Sequence, residues 1–553
     1  MNDPLKKSLE EMGEEAGAPD IEVPVLIVGG GPVGLAAAIE LGYQGVECIL
    51  AERRDGSIGH PKMNQVGVRT SEMCRRWGVI DQVRAQSIPD DFPRNIHFVT
   101  QAYGGHELAR YEFPARKDEK YINSPEALQR CSQLWFDPIL RDHGRAMPNV
   151  DFLYETEFVS FKQDSDGVTA QIRHLRTDEP RTVRAQYLIA CDGAMSDIRE
   201  QLGVELQGDF GLNFNQTVFF RSERSDLLLE KGRTIMQWVF GENGMWADIV
   251  AINGKDLWRL SIMHLPLGTE LTHEEAGEHL RRAVGTDFEF EVISILPWER
   301  KRVTAEQFSK GRVFLAGDAA KQMSPTGGFG MNTGIQEAVD VGWKLAAVIQ
   351  GWGGNKLLAS FDAERRPTAQ IITDEAALNF TQFAKLPKGP LLVADSPEGE
   401  AFREEFRKVL HDIDMDREYD TDGLVLGYRY EDSPIIVYNG DKGPPLETMN
   451  YVHSAAPGHR APHAWLEDGS STLDWYGHGF VLVRTDPSVG TSALEAAAEA
   501  VGMPFKTVDC QKEDVVRYYE KKLVLVRPDG HVAWRGDAAP NDPAGLIDTV
   551  RGA

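Results

Sequence analysis

The chain has 553 residues and carries 59 Lys and Arg against 85 Asp and Glu, a formal net charge of −26. That length exceeds what one hydrophobic core organises, so two or three domains are expected, and the acidic balance argues against a nucleic-acid or anionic-membrane partner. Five cysteines (Cys48, Cys74, Cys131, Cys191, Cys510) are scattered without a CxxC pair; this argues against structural zinc or a disulfide framework and fits a cytoplasmic setting.

Residues 1–20 are polar and acidic with no apolar core, and read as a disordered leader rather than a signal peptide. No later apolar run reaches membrane-spanning length. VPVLIVGGGPVGLAAAIELGYQGVECILAERR (residues 23–54) reads as buried strand, glycine turn, helix and second strand. Gly29, Gly31 and Gly34 form GxGxxG there, Pro32 opens the helix, and Glu52 closes the second strand at the spacing of a ribose-binding acid, followed by Arg53. Together these point to a bound dinucleotide whose pyrophosphate sits on the helix N-terminus. AQYLIACDGAMSDIRE (185–200) is a further apolar strand ending in Asp-Gly, and GRVFLAGD (311–318) another. A doubly wound parallel sheet would gather all these glycine–acid segments at the carboxyl ends of its strands.

Between them, residues 207–298 are β-rich. TIMQWVF places Met236, Trp238 and Phe240 on one face, and LWRLSIMHL does the same for Trp258, Leu260, Ile262 and His264. Trp238, Phe240 and Trp246 suit an aromatic pocket wall; strand aromatics also serve plain core packing, and both uses stay open. Residues 355–449 read as helix, then loops. The C-terminal part orders as strand (FVLVRT), helix (SALEAAAEAVG), strand (FKTVDC) and a hairpin turned by Pro528-Asp529-Gly530. That order resembles a thioredoxin-like fold, but Cys510 stands alone, so a structural rather than redox role is expected.

In order and spacing, the glycine fingerprint, CDGAMSDIR (191–199) and GDAAKQMSPTGGFGMNTG (317–334) resemble the class A FAD-dependent aromatic monooxygenases. FDAERRP (361–367) belongs to the same pattern, and the C-terminal unit resembles the phenol hydroxylase and polyketide hydroxylase branch. The resemblance implies an α/β fold: a Rossmann-like FAD domain of the GR2 type (21–95, 125–206 and 299–380), an inserted β-sheet substrate domain (96–124 and 207–298), a helical or loop connector (381–449) and a thioredoxin-like domain (450–553). It implies non-covalent FAD, NADPH or NADH as co-substrate, O2, and a small aromatic substrate, with a homodimer as one assembly. The reaction implied is hydroxylation of a phenolic or polycyclic aromatic ring through a flavin C4a-hydroperoxide.

The same resemblance assigns residues. Asp318 would bind the ribityl chain, as would Gln133 in CSQLWFDPIL. Gly328, Gly330, Met331 and Asn332 would open a helix toward the pyrimidine end of the flavin, where the reduced ring collects negative charge. Pro325 would face substrate, Asp192 would serve the FAD and nicotinamide side, and Arg199 would tie its helix to neighbouring backbone. HPKMNQVGVRTSEM (60–73) resembles the loop lining the flavin ring, with Lys62 and Met63 where relatives carry Arg and a small residue. Asn64 stands where that branch can carry an acid; an amide can orient a hydroxyl but cannot act as a base. Lys321 replaces a histidine common after GDAA, and either pairs a phosphate or is a solvated charge.

Other readings keep the cofactor and change the chemistry: Baeyer–Villiger or epoxidising oxygen transfer, or a non-catalytic flavin redox sensor. The WxWxIP motif of flavin halogenases and the cysteine pair of disulfide reductases are absent from the sequence.

Overall fold

The computed structural model describes residues 18–113 and 121–553. Most of the expected leader, residues 1–17, lies outside them, as does part of the expected insert, 114–120. Strand Ile21–Val28 lies inside a mainly parallel sheet, between Cys48–Ala51 and Pro180–Ala190. Val313–Leu315 pairs parallel with Pro180–Ala190 on one side, and Val150–Leu153 with Cys48–Ala51 on the other. The strand's VLIV run is wholly buried, as a strand covered on both faces must be.

Register decides what this sheet gathers. Val28 lies opposite both Ala51 and Ala190, and Ala190 opposite Leu315. The residues that follow, Gly29, Glu52, Cys191-Asp192 and Gly317-Asp318, therefore emerge side by side at the carboxyl edge. Helix α1 (Pro32–Tyr43) packs on the sheet through Ala36, Ala37 and Ala38, all fully buried. Gly34 permits that contact: a Cβ there would meet the Gly29 carbonyl oxygen at 1.9 Å.

A second eight-stranded sheet runs, edge to edge, through Lys321–Gln322, Glu291–Ala305, Leu206–Arg221, Leu257–Leu265, Gly244–Ala251, Met236–Gly241, Ile96–Val99 and Glu107–Tyr111. It extends past the expected end at residue 298 to Ala305. The pairing is irregular at two places. Opposite Val239 and Phe240 the partner strand carries one extra residue, Trp246, and a register shift between Ile262 and Leu265 leaves His264 exposed at φ 59°.

Two long helices return to the first sheet, α2 (Phe329–Ile349) and α3 (Asn355–Gln382). The stretch read as connector holds a further helix, Pro397–Asp412, and a short turn at Met415–Glu418. The C-terminal unit is a four-stranded sheet ordered Phe505–Asp509, Phe480–Arg484, Leu523–Val526, Val532–Gly536. It docks on α2, where Phe480 meets Trp343 edge-on. The Pro528–Gly530 turn is not a surface hairpin. Arg527 beside it is fully buried, paired with Glu364 (2.5 Å), Asp340 (3.2 Å) and Asp529 (2.6 Å). Among the described residues no helix is long and apolar enough to cross a membrane.

Candidate active site

A cleft of about 860 Å³ runs from the carboxyl edge of the first sheet to the face of the second. At the sheet edge it is walled by Gly29, Gly31, Pro32, Glu52, Arg53, Asp192 and Asp318. The Glu52 carboxylate already accepts from the Gly30 and Arg54 N–H groups (2.6 and 2.7 Å), which fixes its orientation. Asp192 accepts from the Ile198 N–H at 3.2 Å and leaves Oδ1 buried without a partner; burial raises its carboxyl. Asp318 projects into the cleft. Crowding by protein raises its carboxyl, and Lys321 and Lys62 oppose that rise.

Farther along lie Lys62, Met63, Asn64, Gln133, Pro325, Gly328, Gly330 and Met331. Gly327 and Gly328 adopt φ of 80° and 68°, turning the chain so that α2 starts at the cleft with no side chain capping its first turn. The Pro325 carbonyl accepts from the Gly328 N–H at 3.0 Å. Gln133 is committed within the protein, accepting from the Lys62 N–H and donating to Asp137, each at 2.9 Å. Asn64 Nδ2 donates to the Ala251 carbonyl (3.0 Å), while its Oδ1 is buried without a partner.

Several expected site residues stand elsewhere. Gly34 acts behind the cleft, through close packing. Asn332 is a clamp, not part of the wall: its side chain accepts from the Gly67 N–H (2.7 Å) and donates to the Gln65 and Gly328 carbonyls. Trp238 is buried one layer back, donating its Nε1–H to the Tyr419 hydroxyl at 2.6 Å. Phe240, buried in the same cluster, packs edge-on against Phe406. Trp246 lies under Arg282, 4.1 Å from its ring centre. Lys321 neither faces a phosphate nor meets solvent; it is buried against Glu337 at 2.6 Å. Arg199, by contrast, ties its helix to neighbouring backbone as expected, donating to the Ala319 carbonyl at 3.3 Å.

In place of the three aromatics the wall presents Met236, Val250, Arg259, Arg130, Glu418 and Tyr419. Met236, Val250 and Arg259 are cross-strand neighbours in one row. Glu418 and Tyr419 come from the connector, whose loop-like composition carried no sign of a site. Burial pushes the Glu418 carboxyl up to about 8, opposed by Arg300 and the Gly327 N–H.

The residues fit FAD. A Cβ on Gly31 or Gly330 would meet nothing within 4 Å, so the backbone at both ends of the flavin-sized cleft is open to a ligand, and Asp192 holds a buried acceptor oxygen free beside it. Comparison with known proteins agrees. Residues 22–376 match the FAD binding domain family, and residues 454–552 the C-terminal domain of aromatic-ring hydroxylases. The chain belongs to the FAD-dependent aromatic-ring monooxygenases. A putative polyketide hydroxylase of Streptomyces halstedii is 34% identical, over 94% of this chain and 95% of its own length. The 4-methyl-5-nitrocatechol 5-monooxygenase of a Burkholderia species is 31% identical, over 96% and 98%. Among solved structures, the rebeccamycin biosynthetic enzyme RebC with reduced flavin superposes with a TM-score of 0.89 at 39% identity, covering 97% of this chain and all of that one. Aklavinone-11 hydroxylase, solved with FAD and aklavinone, gives 0.82 at 29% identity, with the same coverage. This monooxygenase accordingly uses FAD, O2 and a reduced nicotinamide.

Proposed function

We propose that the monooxygenase hydroxylates a phenolic ring within a polycyclic aromatic substrate held against the face of the second sheet, beside Asn64. The observation that carries this reading is the row Met236, Val250 and Arg259 beside Asn64, whose Nδ2 donates to the adjoining Ala251 carbonyl at 3.0 Å: a flat strand face with a buried amide acceptor next to it. FAD, when bound, supplies electron transfer from the nicotinamide and the activation of O2. The chain's part is to bind, orient and exclude water. Asp318 and Gln133 would flank the ribityl chain, and Lys62, Arg53 and Glu52 the phosphates and ribose. The uncapped start of α2 at Gly330 and Met331 would favour negative charge on the adjoining ring. Asn64 Oδ1 would accept a substrate hydroxyl proton in a hydrogen bond, aligning the ring without removing that proton. The Pro325 carbonyl, which accepts one N–H, keeps a second lone pair.

The size of relatives' substrates supports a polycyclic ring: RebC has been solved with bound 7-carboxy-K252c and aklavinone-11 hydroxylase with aklavinone. Five unpaired cysteines support a reducing, cytoplasmic setting. The test is a panel of monocyclic and polycyclic phenols screened for stimulated NADH and NADPH oxidation, with products weighed by mass spectrometry. A gain of one oxygen on a polycyclic phenol is expected. Oxidation with no oxygenated product from any phenol would reject hydroxylation.

A further inference from the structure

Arg130 lies three residues before Gln133 and reaches the cleft on the wall shared with Asn64, Arg259 and Tyr419. Its Nε is shut off from solvent without a partner, and among the described residues its guanidinium makes no hydrogen bond or ion pair. Arg130 is half-buried, with its terminal nitrogens toward the cleft, and a partly desolvated guanidinium without a counter-charge is costly unless a ligand supplies one. Here the protein works against the cation: crowding and the positive charges of Arg94 and Arg259 push its pKa down to about 10.

Arg259 is the second cation of this wall. It reaches Asp248 by one long contact of 3.4 Å and leaves its own Nε buried and unpartnered. Asp248 pairs with Arg259 and also faces Arg300, so one carboxylate serves two guanidinium groups. Glu418, the other acid on this side, is held toward its neutral form by burial. Tyr419 is a phenol whose ionisation burial opposes. Two guanidinium groups thus converge on the cleft where the surrounding groups supply little negative charge.

We propose that Arg130 and Arg259 together seat an anionic oxygen of the aromatic substrate, a carboxylate or a phenolate. The proposal rests on the reading of the cleft as an aromatic-substrate site. It divides labour on the wall: Asn64 meets a neutral hydroxyl, and the arginines meet the charged end. A planar fork is suited to that task, since it binds two oxygens at once.

The test uses the full-length, FAD-loaded protein and three probes: 3-hydroxy-2-naphthoate, its methyl ester, and 2-naphthoate. Binding is read from the flavin absorbance change and by calorimetry. With a carboxylate as the anion, both acids bind about tenfold or more tightly than the ester, and the preference shrinks at raised ionic strength. With a phenolate, the ester gains affinity as pH rises through its own hydroxyl ionisation, and 2-naphthoate shows no advantage. Arg130→Met should erase the preference and Arg130→Lys keep part of it, with FAD content and circular dichroism unchanged. Should Arg130→Met fail to fold, the wild-type preference and its salt dependence still decide. Equal affinity for all three probes at every pH overturns the anion seat alone. Failure of every probe to bind overturns the aromatic-substrate reading, and the anion seat with it.

Discussion

Lys321 and Glu337 form a buried ion pair, 2.6 Å apart, behind the turn that carries Asp318. Glu337 also accepts the Gly317 N–H at 2.8 Å, so one carboxylate fixes both the cation and the start of the turn. Lys321→Met strands a charge in the interior, a change worth about 3–5 kcal/mol. The variant should melt at lower temperature and lose FAD more readily than wild type. The double variant Lys321→Met/Glu337→Gln should recover much of that loss, because Gln still accepts the Gly317 N–H without a charge. Thermal melts and flavin content of both proteins check this; equal losses in single and double variants would reject the pairing.

Asn64→Asp should weaken binding of a polycyclic phenol by about tenfold at neutral pH, with FAD retained. The amide nitrogen donates to the Ala251 carbonyl at 3.0 Å, and a carboxylate there sets oxygen against oxygen. The acid form restores a donor, so affinity should recover as pH falls. Substrate titrations across pH in both proteins test it, and superimposable curves would remove Asn64 from the substrate wall.

Glu418 sets a pH dependence of definite sign. Its carboxyl is raised to about 8 in the folded chain, against about 4.3 when unfolded. Between those values the folded state holds a proton that the unfolded state has released, so its contribution to stability falls as pH rises through that window. Glu418→Gln removes the titration. Relative to wild type, the variant's Tm should therefore climb from pH 5 to pH 8. A constant difference would mean that Glu418 is charged throughout.

Cys510→Ser should leave turnover unchanged. Cys510 is one of five free thiols and has no cysteine partner, so it cannot cycle through an intramolecular disulfide. Rates of nicotinamide oxidation in the presence of dithiothreitol and without it provide the check.

The carboxyl-edge half of the site was legible because its residues obey local rules. Glycines that need close backbone approach, acids that end strands and a proline that opens a helix each betray their position within a few residues. The register that aligns Val28, Ala51, Ala190 and Leu315 then follows from parallel pairing. The substrate wall was not legible. The face that carries Trp238 and Phe240 is core, not wall: Phe406 packs on Phe240 and Tyr419, from a loop far along the chain, covers Trp238. Arg130 and Glu418 carry no motif; their environment alone marks them, and that environment is assembled from separate elements. Lys321 misled for the same reason, since its partner Glu337 sits on the next helix.

The grip of Arg527 on Glu364 and Asp340 has a consequence for biogenesis. Asp340 lies on α2, whose start lines the cleft, and Glu364 on α3 packed beside it, and Lys344 supplies only one of their counter-charges, at 2.8 Å from Asp340 and 2.6 Å from Glu364. A ribosome delivers Arg527 more than 160 residues after Glu364. Until then Asp340 and Glu364 share Lys344 alone, and the helix faces that receive the last strands stay open to water; Arg527 brings its own acid, Asp529, so the net charge of the cluster does not change when it closes. A premature stop ahead of Arg527 therefore takes a buried partner away from two helices of the flavin domain, though it leaves every residue of that domain in place.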